Sequence, residues 1–423
     1  MLDIKFIREN QEVVKKAIKD KGLTLDLEKL LKLDEERRKL ITETDELNKQ
    51  RKEFAKERDK EKGKALKEQL GKLEEKLREV EMEYFELMLL VPNIPSPETP
   101  VGDARENKEI HKWGQIPKFD FKPKSHIELG KDLDLIDLER GVKASGFRGY
   151  YLKNEAVLMQ MGVLWYALRK LIAKGFTPMV APTLLREFAL VGSGHFPFGR
   201  EEVYQIGNPH SLEEKGDKDK NKVFLAGTSE PALLAYYAGE VLDEKILPIK
   251  VCAISPCYRS EIGSYGKDTK GIYRIHEFMK VEQVVFCQND IEESKKWLQE
   301  LENISREILE ELELPYRVII NATGDQGAGK YEMHDIETWM PSRDGYGETH
   351  SDSALTDWQA RRLNIRYRTK AGKLEFVHTL NNTAIASPRI LIAILENHQQ
   401  ADGSVNVPKV LQDYVGKKII GPK

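Results

Sequence analysis

The stretch "PCYRSEIGSYGKDTKGIYRIHEFMKVEQ", residues 256–283, carries charged and aromatic side chains at spacings that suit a nucleotide. Arg259 and Glu261 are two residues apart in a segment predicted as a strand, so their side chains should share one face. An arginine can hold a phosphate through two hydrogen bonds, and a carboxylate can accept one from an exocyclic amine such as that of adenine. The loop 262–272, with three glycines and two lysines, could fold over a polyphosphate.

The same stretch ends in "FMKVEQ", where Phe278 and Glu282 are four residues apart. This segment reads as a strand, so these two side chains should also share a face. An aromatic ring there can stack on a base, and the carboxylate beyond it can hold an ammonium or a hydroxyl group. From these residues alone, a strand hairpin with a surface ion pair is an open alternative.

A polar cluster in "GETHSDSALTDWQARR" suits a magnesium ion. Glu348, His350 and Ser351 lie there beside apolar sequence. Magnesium prefers oxygen ligands, binds few protein groups, and leaves the rest of its coordination to phosphate and water. The carboxylate and hydroxyl oxygens therefore make this segment a candidate metal site.

The segment "TLNNTAIASPRILIAILENH" predicts a helix that begins with a cation. Ser387 would be its N-cap and Pro388 its first residue. Arg389 would then lie in the first turn, where the helix dipole disfavours positive charge. A phosphate bound at this helix start would make the arginine favourable, and a plain surface arginine is the alternative.

A second glycine-rich segment, "GDQGAGKY" (324–331), matches the first seven positions of the phosphate-binding P-loop pattern. The eighth position should be Ser or Thr, which would hold magnesium, and it is Tyr331. The following "YEMHDIETWM" alternates like a strand, so no helix would open towards a phosphate. The sequence therefore argues against a P-loop here.

Residues 27–91 predict an antiparallel helical hairpin that forms a coiled coil. The second half has an apolar seam at steps of four and three, and the first half repeats apolar residues every seven positions. Gly63, in "DKEKGKA", is the predicted point of reversal. The seam residues are Leu33, Leu40, Leu47 and Phe54 in the first half, then Leu66, Leu70, Leu73, Leu77, Val80, Tyr84 and Leu87 in the second.

The tip of this hairpin is basic. Between Asn48 and Lys64 there are eight Lys or Arg residues and four acidic residues, a local charge of +4. Either this is a solvated coiled-coil face, or it contacts a phosphate backbone.

Four prolines within "VPNIPSPETP" mark a domain boundary, because proline ends helices and stiffens a connection. We therefore expect an N-terminal helical arm with its linker over 1–100 and a second domain over 101–423. In the second domain the sequence predicts helices near 155–174 and 290–312 and a strand in "GFTPMVAP". Short strands with few βαβ repeats favour an α+β fold with an antiparallel sheet.

The composition indicates a cytoplasmic protein. The 67 basic and 70 acidic residues give a net charge of −3, which predicts no overall attraction to nucleic acid or membranes. The first ten residues are unlike a signal peptide, and we expect no unbroken apolar run long enough to span a bilayer. Three cysteines without a CxxC pair are expected to be buried free thiols.

Taken together, these segments resemble a known family. "PCYRSE…HEFMKVEQ" looks like motif 2 of the class II aminoacyl-tRNA synthetases, "NNTAIASPRILIAILEN" like motif 3, and "GFTPMVAP" like motif 1. The hairpin, "GTSEP" (227–231) and "ETHSDSALTDWQARR" narrow the resemblance to seryl-tRNA synthetases of the bacterial type. It covers nearly the whole chain.

The resemblance implies an antiparallel-sheet class II core that activates L-serine with ATP and Mg²⁺ and transfers it to tRNA(Ser), and to selenocysteine tRNA as well. It also implies a homodimer with Pro182 at its interface. Arg259 would hold the α-phosphate, Arg389 the γ-phosphate, and Glu348 would complete the catalytic set. The implied ATP-binding residues are Arg259, Ser260, Glu261, Ile275, Phe278, Glu348, Thr349, His350, Ser351 and Arg389. The implied metal ligands are Glu348 and Ser351. The implied serine-binding residues are Thr228, Ser229, Glu230, Glu282, Asn381 and Thr383.

Two other functions fit parts of this pattern. One is a nucleic-acid-binding coiled-coil protein that retains an inactive synthetase core, which the intact Arg259, Glu282, Glu348 and Arg389 argue against. The other is a relative that transfers activated amino acids to carrier proteins, which would give the long basic hairpin no role.

Overall fold

The computed structural model describes residues 1–57, 60–208, 222–262 and 270–422. The chain divides into two compact units, Met1–Ile94 and Pro95–Lys423.

The first unit is helical, and its long pair confirms the predicted hairpin. The helices are α1 (Ile4–Glu9), α2 (Gln11–Asp20), α3 (Leu27–Glu57) and α4 (Lys60–Leu90). α3 and α4 have 31 residues each and pack along the predicted seam, where Leu33, Leu40 and Val80 are buried. Gly63 is inside α4, so the prediction that it makes the reversal is wrong; residues 58 and 59, between the helices, lie outside the described part of the chain.

Polar residues complete the seam where it is not apolar. Arg37 lies 5.3 Å from the ring centroid of Tyr84, and its Nε donates to Glu81 at 3.1 Å. Near the base of the hairpin, α1 and α2 supply Ile7 and Val14 to a second small core. The seam therefore combines apolar burial with ion pairs, as coiled coils do.

The second unit is built on an eight-stranded sheet, which confirms the predicted α+β class. Its strands are β1 (Lys108–Trp113), β4 (Thr177–Met179), β8 (Ile249–Tyr258), β9 (Glu277–Cys287), β10 (Tyr316–Ile320), β11 (Glu332–Met340), β12 (Gly345–Ala354) and β15 (His378–Ser387). Their order is β1-β10-β11-β12-β15-β9-β8-β4, antiparallel except for the parallel pair β4 and β8.

Shorter strands and helices surround this sheet. The short strands are β2 (Ile136–Asp137), β3 (Tyr151–Leu152), β5 (Leu184–Arg186), β6 (Val223–Leu225), β7 (Val241–Asp243), β13 (Arg366–Arg368), β14 (Leu374–Phe376), β16 (Val405–Asn406) and β17 (Ile419–Ile420). The helices are α5 (His126–Asp132), α6 (Leu138–Ser145), α7 (Glu155–Ala173), α8 (Glu187–Ser193), α9 (Glu230–Ala235), α10 (Ile291–Glu311), α11 (Trp358–Leu363), α12 (Arg389–Asn397) and α13 (Gln412–Val415).

The central strands bury both faces. α7, α10 and α12 pack on one face, where Val281 and Val285 of β9 join the largest core. Val284 and Phe286, on either side of Val285 in sequence, point to the opposite face and pack with residues of α9 and α11. Side chains alternate between the two faces along a strand, so β9 can be apolar at successive positions where both faces are covered. Near its start, the same alternation places polar residues towards one face.

The predicted helices 155–174 and 290–312 are confirmed as α7 and α10, and the strand in "GFTPMVAP" as β4. α10 begins at an N-cap, Asp290, whose side chain accepts from the backbone N–H groups of Glu292 and Glu293. After the rejected P-loop segment the chain enters β11, as its alternation predicts. The three cysteines are free and buried, also as predicted.

Among the residues that the structure describes, one helix, α7, is long and apolar enough by composition to cross a membrane, although charged residues such as Arg169 interrupt its apolar sequence. Over 18 residues of this helix the mean hydropathy is 1.3, and 44% of that stretch is buried. Its buried face contributes Met159, Val163 and Leu164 to the core of the second unit. A core helix of a folded domain has these properties, so α7 gives weak support for a membrane span.

Candidate active site

A cleft of about 500 Å³ opens on the central sheet where β9, β12 and β15 meet. It is lined by Arg259, Glu261, Tyr273, Ile275, Phe278, Lys280, Glu348, Thr349, His350, Ser351, Thr383, Ala386, Ser387, Pro388 and Arg389. The structure thus brings nine of the ten sequence-predicted ATP residues to one place. The exception is Ser260, whose hydroxyl donates to the carbonyl of Glu201 at 2.7 Å.

Arg259 and Glu261 reach the cleft by a route that the sequence did not predict. β8 ends at Tyr258, so the two residues do not share a strand face, and that prediction is wrong. Glu261 has a φ of +52°, a conformation that costs a non-glycine residue about 1–2 kcal/mol. The chain turns out of the sheet at this point, and the turn rather than strand periodicity brings the two side chains together.

Neighbouring groups fix both residues. The Arg259 guanidinium lies 5.3 Å from the ring centroid of Phe278, and its Nε donates to the carbonyl of Gly227 at 3.3 Å. Arg274 donates to the Glu261 carboxylate at 3.2 Å. A cation, a carboxylate and an aromatic ring therefore occupy fixed positions on one wall. Residues 263–269, most of the predicted polyphosphate loop, lie outside the described part of the chain.

Phe278 and Glu282 lie on β9, so the prediction that they share a strand is confirmed. Lys280, between them, faces the same side, and its ammonium contacts the Glu282 carboxylate and lies 3.4 Å from the Thr383 hydroxyl. Sequence reasoning did not single out Lys280. Its place two residues from both Phe278 and Glu282 was the signal that could have found it.

The opposite wall is centred on Arg389 and Glu348. Arg389 Nη1 lies 3.2 Å from a Glu348 carboxylate oxygen and 3.0 Å from the Glu348 carbonyl, and Nε donates to the Tyr273 carbonyl at 3.1 Å. Desolvation in the cleft opposes ionisation of Glu348, yet the charges of Arg389 and Arg259 hold the pKa of its carboxyl below the usual value. Glu348 is therefore an anion at neutral pH, ready to hold a cation.

The start of α12 differs from its prediction in one respect. Arg389 does begin the helix, but Ser387 belongs to β15 and Pro388 is the N-cap, so the predicted serine cap is wrong. The Ser387 hydroxyl donates to Gln160 instead, at 2.7 Å. Arg389 is held by carbonyls and by Glu348, which offsets the unfavourable helix dipole.

An oxygen-rich group lies beside Glu348. Ser351 of β12 is paired with Asp335 of β11 across the sheet, and Asp335 Oδ2 accepts from Asn321 at 2.8 Å. Burial and the nearby charge of Glu348 raise the pKa of Asp335 to about 8. Its Oδ1 is buried and has no hydrogen-bond partner in the described part of the chain, which is the position expected for a group that meets a cation. The donor set is all oxygen and so fits magnesium.

His350 contributes a neutral imidazole to the cleft wall. Burial lowers the pKa of its ring to about 4, so it carries no charge at neutral pH. Its Nδ1 lies 2.9 Å from the hydroxyl of Thr349.

The predicted serine-binding residues form two neighbouring groups. Glu282 of β9 is paired with Thr383 of β15 across the sheet, and Thr383 lines the cleft. Glu230, the first residue of α9, is buried and accepts from Asn381 Nδ2 at 2.9 Å. Its backbone N–H lies 3.3 Å from the Thr228 hydroxyl. Ser229, between them, is buried, and its hydroxyl has no hydrogen-bond partner among the residues that the structure describes.

Family models match both units. Residues 1–95 match the seryl-tRNA synthetase N-terminal domain, and residues 211–398 match the tRNA synthetase class II core domain (G, H, P, S and T). The chain is 46% identical to a serine–tRNA ligase of Deinococcus radiodurans, over 100% of this chain and 99% of that one. It is 43% identical to that of Treponema denticola, over the full length of both.

Solved structures agree with the family models. The fold is similar to a seryl-tRNA synthetase from Pyrococcus horikoshii complexed with ATP, with a TM-score of 0.88, 39% identity and full coverage of both chains. It is also similar to a cytoplasmic serine–tRNA ligase from Naegleria fowleri in complex with AMP, with a TM-score of 0.86, 31% identity and coverage of 100% and 99%.

Proposed function

Since the chain belongs to the serine–tRNA ligases of the class II aminoacyl-tRNA synthetases, we propose that its cleft joins L-serine to ATP and that the resulting seryl group passes to tRNA(Ser). The observation that carries this proposal is the convergence of Arg259, Phe278, Glu348 and Arg389 in one cleft beside the buried Glu230. A ring that can stack on a base, two cations suited to phosphate and two carboxylates would thereby lie within reach of one nucleotide.

ATP lies along the cleft from Phe278 to Arg389. Its adenine stacks on Phe278 and donates from its amine to Glu261, while the backbone of Ile275 lines the base. Arg259, already above the Phe278 ring, binds the α-phosphate, and Arg389 binds the γ-phosphate. Arginine suits both positions because its planar fork can hold two phosphate oxygens at once.

L-Serine lies beyond Phe278. Among the residues that the structure describes, no lysine or arginine forms an ion pair with Glu230, so this buried carboxylate is ready to hold the substrate's ammonium group. Thr383 and Glu282 lie side by side and suit the serine hydroxyl. Thr228, Ser229 and Asn381 support Glu230 and line its surroundings.

The chemistry requires no covalent nucleophile from the protein. The serine carboxylate attacks the α-phosphorus, a new oxygen–phosphorus bond forms, and the bond from the α-phosphorus to the bridging oxygen breaks as pyrophosphate leaves. A hydroxyl of the terminal tRNA ribose then attacks the seryl carbonyl and AMP leaves. Arg259 and Arg389 stabilise charge on the phosphates and hold the reactants in line.

Glu348 and Ser351 would hold a magnesium ion, with Asp335 Oδ1 as a neighbouring oxygen. Bound there, the ion would neutralise negative charge on the triphosphate. The protein's own part is to present these oxygens from adjacent strands, β11 and β12, in a fixed register.

We propose a homodimer formed through the exposed side of α7 and the segment after β4. Leu158, Met161 and Trp165 are about half exposed on α7, and Val180, two residues before Pro182, is 93% exposed. Apolar side chains this exposed and this close in sequence are typical of an interface. A dimer that covers α7 also accounts for its membrane-like hydropathy in a cytoplasmic enzyme.

The arm over 1–100 binds tRNA, and the domain over 101–423 performs both reactions. Double-stranded RNA is recognised mainly by its shape and phosphates, which suits a long hairpin with basic residues near its tip. Part of that tip lies outside the described residues. Selenocysteine tRNA would be charged by the same contacts.

The test is amino-acid-dependent exchange of pyrophosphate into ATP, measured with each of the twenty amino acids and followed by charging of tRNA(Ser). We expect exchange with serine and rejection of alanine by roughly 10⁴-fold, because alanine leaves buried polar groups unpaired. A preference for alanine or proline would contradict the proposal.

A further inference from the structure

The buried carboxylate of Glu230 is held by two side-chain amides. Gln359 Nε2 donates to Glu230 Oε1 at 2.7 Å, and Asn381 Nδ2 donates to the same oxygen at 2.9 Å. Hydrogen bonds to an ionised group are stronger than those between neutral groups. Both bonds hold one oxygen, so the carboxylate is fixed in orientation and its other oxygen can serve a ligand.

Gln359 is itself fixed in one orientation. It is the second residue of α11 and is completely buried. Its Oε1 accepts from the Thr379 hydroxyl at 2.7 Å, and its Nε2 also donates to the carbonyl of Ser193 at 2.8 Å. Since the carbonyl of Ser193 can only accept, the nitrogen must face Ser193 and Glu230.

These contacts join the elements around the amino-acid end of the cleft. Ser193 ends α8, Glu230 begins α9, and Thr379 and Asn381 belong to β15. The Ser193 hydroxyl continues the chain of contacts to His195 Nδ1 at 2.9 Å. Burial lowers the pKa of His195, so its ring adds no positive charge that could compete with the substrate's ammonium group for Glu230. Gln359 is the one side chain in this group that contacts α8, α9 and β15 together.

We infer that Gln359 is a positioning residue for the amino-acid substrate: it holds the Glu230 carboxylate in the orientation that binds the substrate's ammonium group. Gln359 does not line the cleft and need not touch serine. The inference rests on the proposed function, since it takes Glu230 as the ammonium partner. It gives Gln359 a role in serine affinity that is separate from ATP binding.

The first test replaces the amide by an apolar side chain of similar length, Gln359→Met. The KM for serine in pyrophosphate exchange should rise by roughly 10- to 100-fold, as expected for a lost hydrogen bond to a charged group. The KM for ATP should change by less than about threefold, because the phosphate and adenine contacts are elsewhere in the cleft. An equal rise in both KM values, or no rise for serine, would overturn the inference.

Gln399→Met is a matched control. Gln399 is also buried, and its amide makes the same number of hydrogen bonds: Oε1 accepts from the Lys124 N–H, and Nε2 donates to the carbonyls of Lys124 and Glu396. It lies outside the cleft lining. Its variant should lose thermal stability as Gln359→Met does, yet keep the wild-type KM for serine. A similar serine KM in both variants would reduce Gln359 to a structural residue.

A graded variant, Thr379→Val, removes the hydroxyl that donates to Gln359 Oε1 and leaves Glu230 and Gln359 in place. The amide nitrogen still donates to Ser193 and Glu230, but the amide loses its third hydrogen bond and is held less firmly, so the serine KM should rise to a value between those of the wild type and Gln359→Met. An unchanged KM would show that this third bond has no part in serine affinity and would contradict the inference.

A binding measurement removes any dependence on turnover. Seryl-sulfamoyl-adenosine carries the ammonium group, and the same compound without its amine does not. Gln359→Met should weaken the first by roughly 10-fold or more and leave the affinity for the second within about twofold. Equal weakening of both would overturn the inference, whereas a wild-type protein that binds neither and shows no serine-dependent exchange would overturn the proposed function itself.

Discussion

Arg389 is the residue whose replacement most directly tests the phosphate end of the cleft. In the free protein its guanidinium donates to the Tyr273 carbonyl and to the carbonyl and carboxylate of Glu348. Its charge also lies 4.3 Å from the Tyr273 ring centroid. The change Arg389→Ala removes these contacts and the proposed γ-phosphate contact together, so the two losses must be separated.

The two losses differ in size and in what they affect. One charge-assisted contact to the reacting triphosphate is typically about 2–4 kcal/mol, which corresponds to a fall in the rate of adenylate formation of roughly 30- to 1000-fold. The lost internal hydrogen bonds should lower the free energy of unfolding by about 1–3 kcal/mol. Most domains tolerate that loss at 25 °C, so the variant should be folded and slow.

The assay is serine-dependent pyrophosphate exchange, with thermal unfolding of the same preparations. Arg343→Ala is the matched control, because Arg343 also lies against the Tyr273 ring, at 4.5 Å, but does not line the cleft. Arg389→Lys keeps the charge without the fork and should recover part of the rate. Near-wild-type exchange in a folded Arg389→Ala protein, or an equal loss in Arg343→Ala, would refute the assigned role.

Three further predictions concern the arm, the dimer and a buried histidine. Deletion of residues 35–90, with the ends joined, should leave serine-dependent exchange largely intact and abolish charging of tRNA(Ser). A proportional loss of exchange would show that the arm is structural. Intact charging would show that its basic tip is only a solvated surface. Trp165→Glu should shift the protein from dimer to monomer in sedimentation at micromolar concentration, with Val142→Glu on exposed α6 as the control, and a wild type that is itself a stable monomer would contradict the interface. Burial opposes ionisation of His334, but its contacts with Glu302 and Glu332 prevail and raise the pKa of the ring to about 10. This folded pKa is above the unfolded pKa of about 6.5, so the stabilisation from the charged ring is complete below pH 6.5. It declines as pH rises towards 10, by about 3–5 kcal/mol at most. Denaturant titrations from pH 7 to 9.5 should show this decline in the free energy of unfolding of the wild type and a flatter pH dependence in His334→Gln.

The sequence predicted the elements better than it predicted how they meet. The seam of the hairpin and the amphipathic α10 follow from periodicity, because their packing repeats along the chain. The structure differs from the predictions where the chain turns. Arg259 and Glu261 leave β8 through a left-handed residue, and Ser387 extends β15 where a helix cap was expected. Both depend on tertiary contacts that a sequence window does not contain.

The site shows the same division. Cleft residues within the motifs, such as Phe278 and Arg389, could be named from their chemistry and spacing. Tyr273 and Asp335 could not be named in this way. Asp335 enters the site through its partner across the sheet, and Tyr273 enters it through its carbonyl, which accepts from Arg389. Gln359 lies within "ETHSDSALTDWQARR", yet its proposed role depends on Thr379 and Glu230, which are distant in sequence.

The contacts of the free cleft also predict that the proposed nucleotide and metal ion favour each other's binding. Arg389 and Glu348 are partners of one another before ligands bind, so each is compensated for its loss of solvent. A γ-phosphate that took Arg389 alone would leave the Glu348 charge without its partner, and a cation that took Glu348 alone would leave Arg389 without its own. Binding both ligands exchanges one ion pair for two and leaves neither charge unpaired. The affinity for each should therefore rise when the other is present, by the same factor, since coupling between two binding sites is reciprocal.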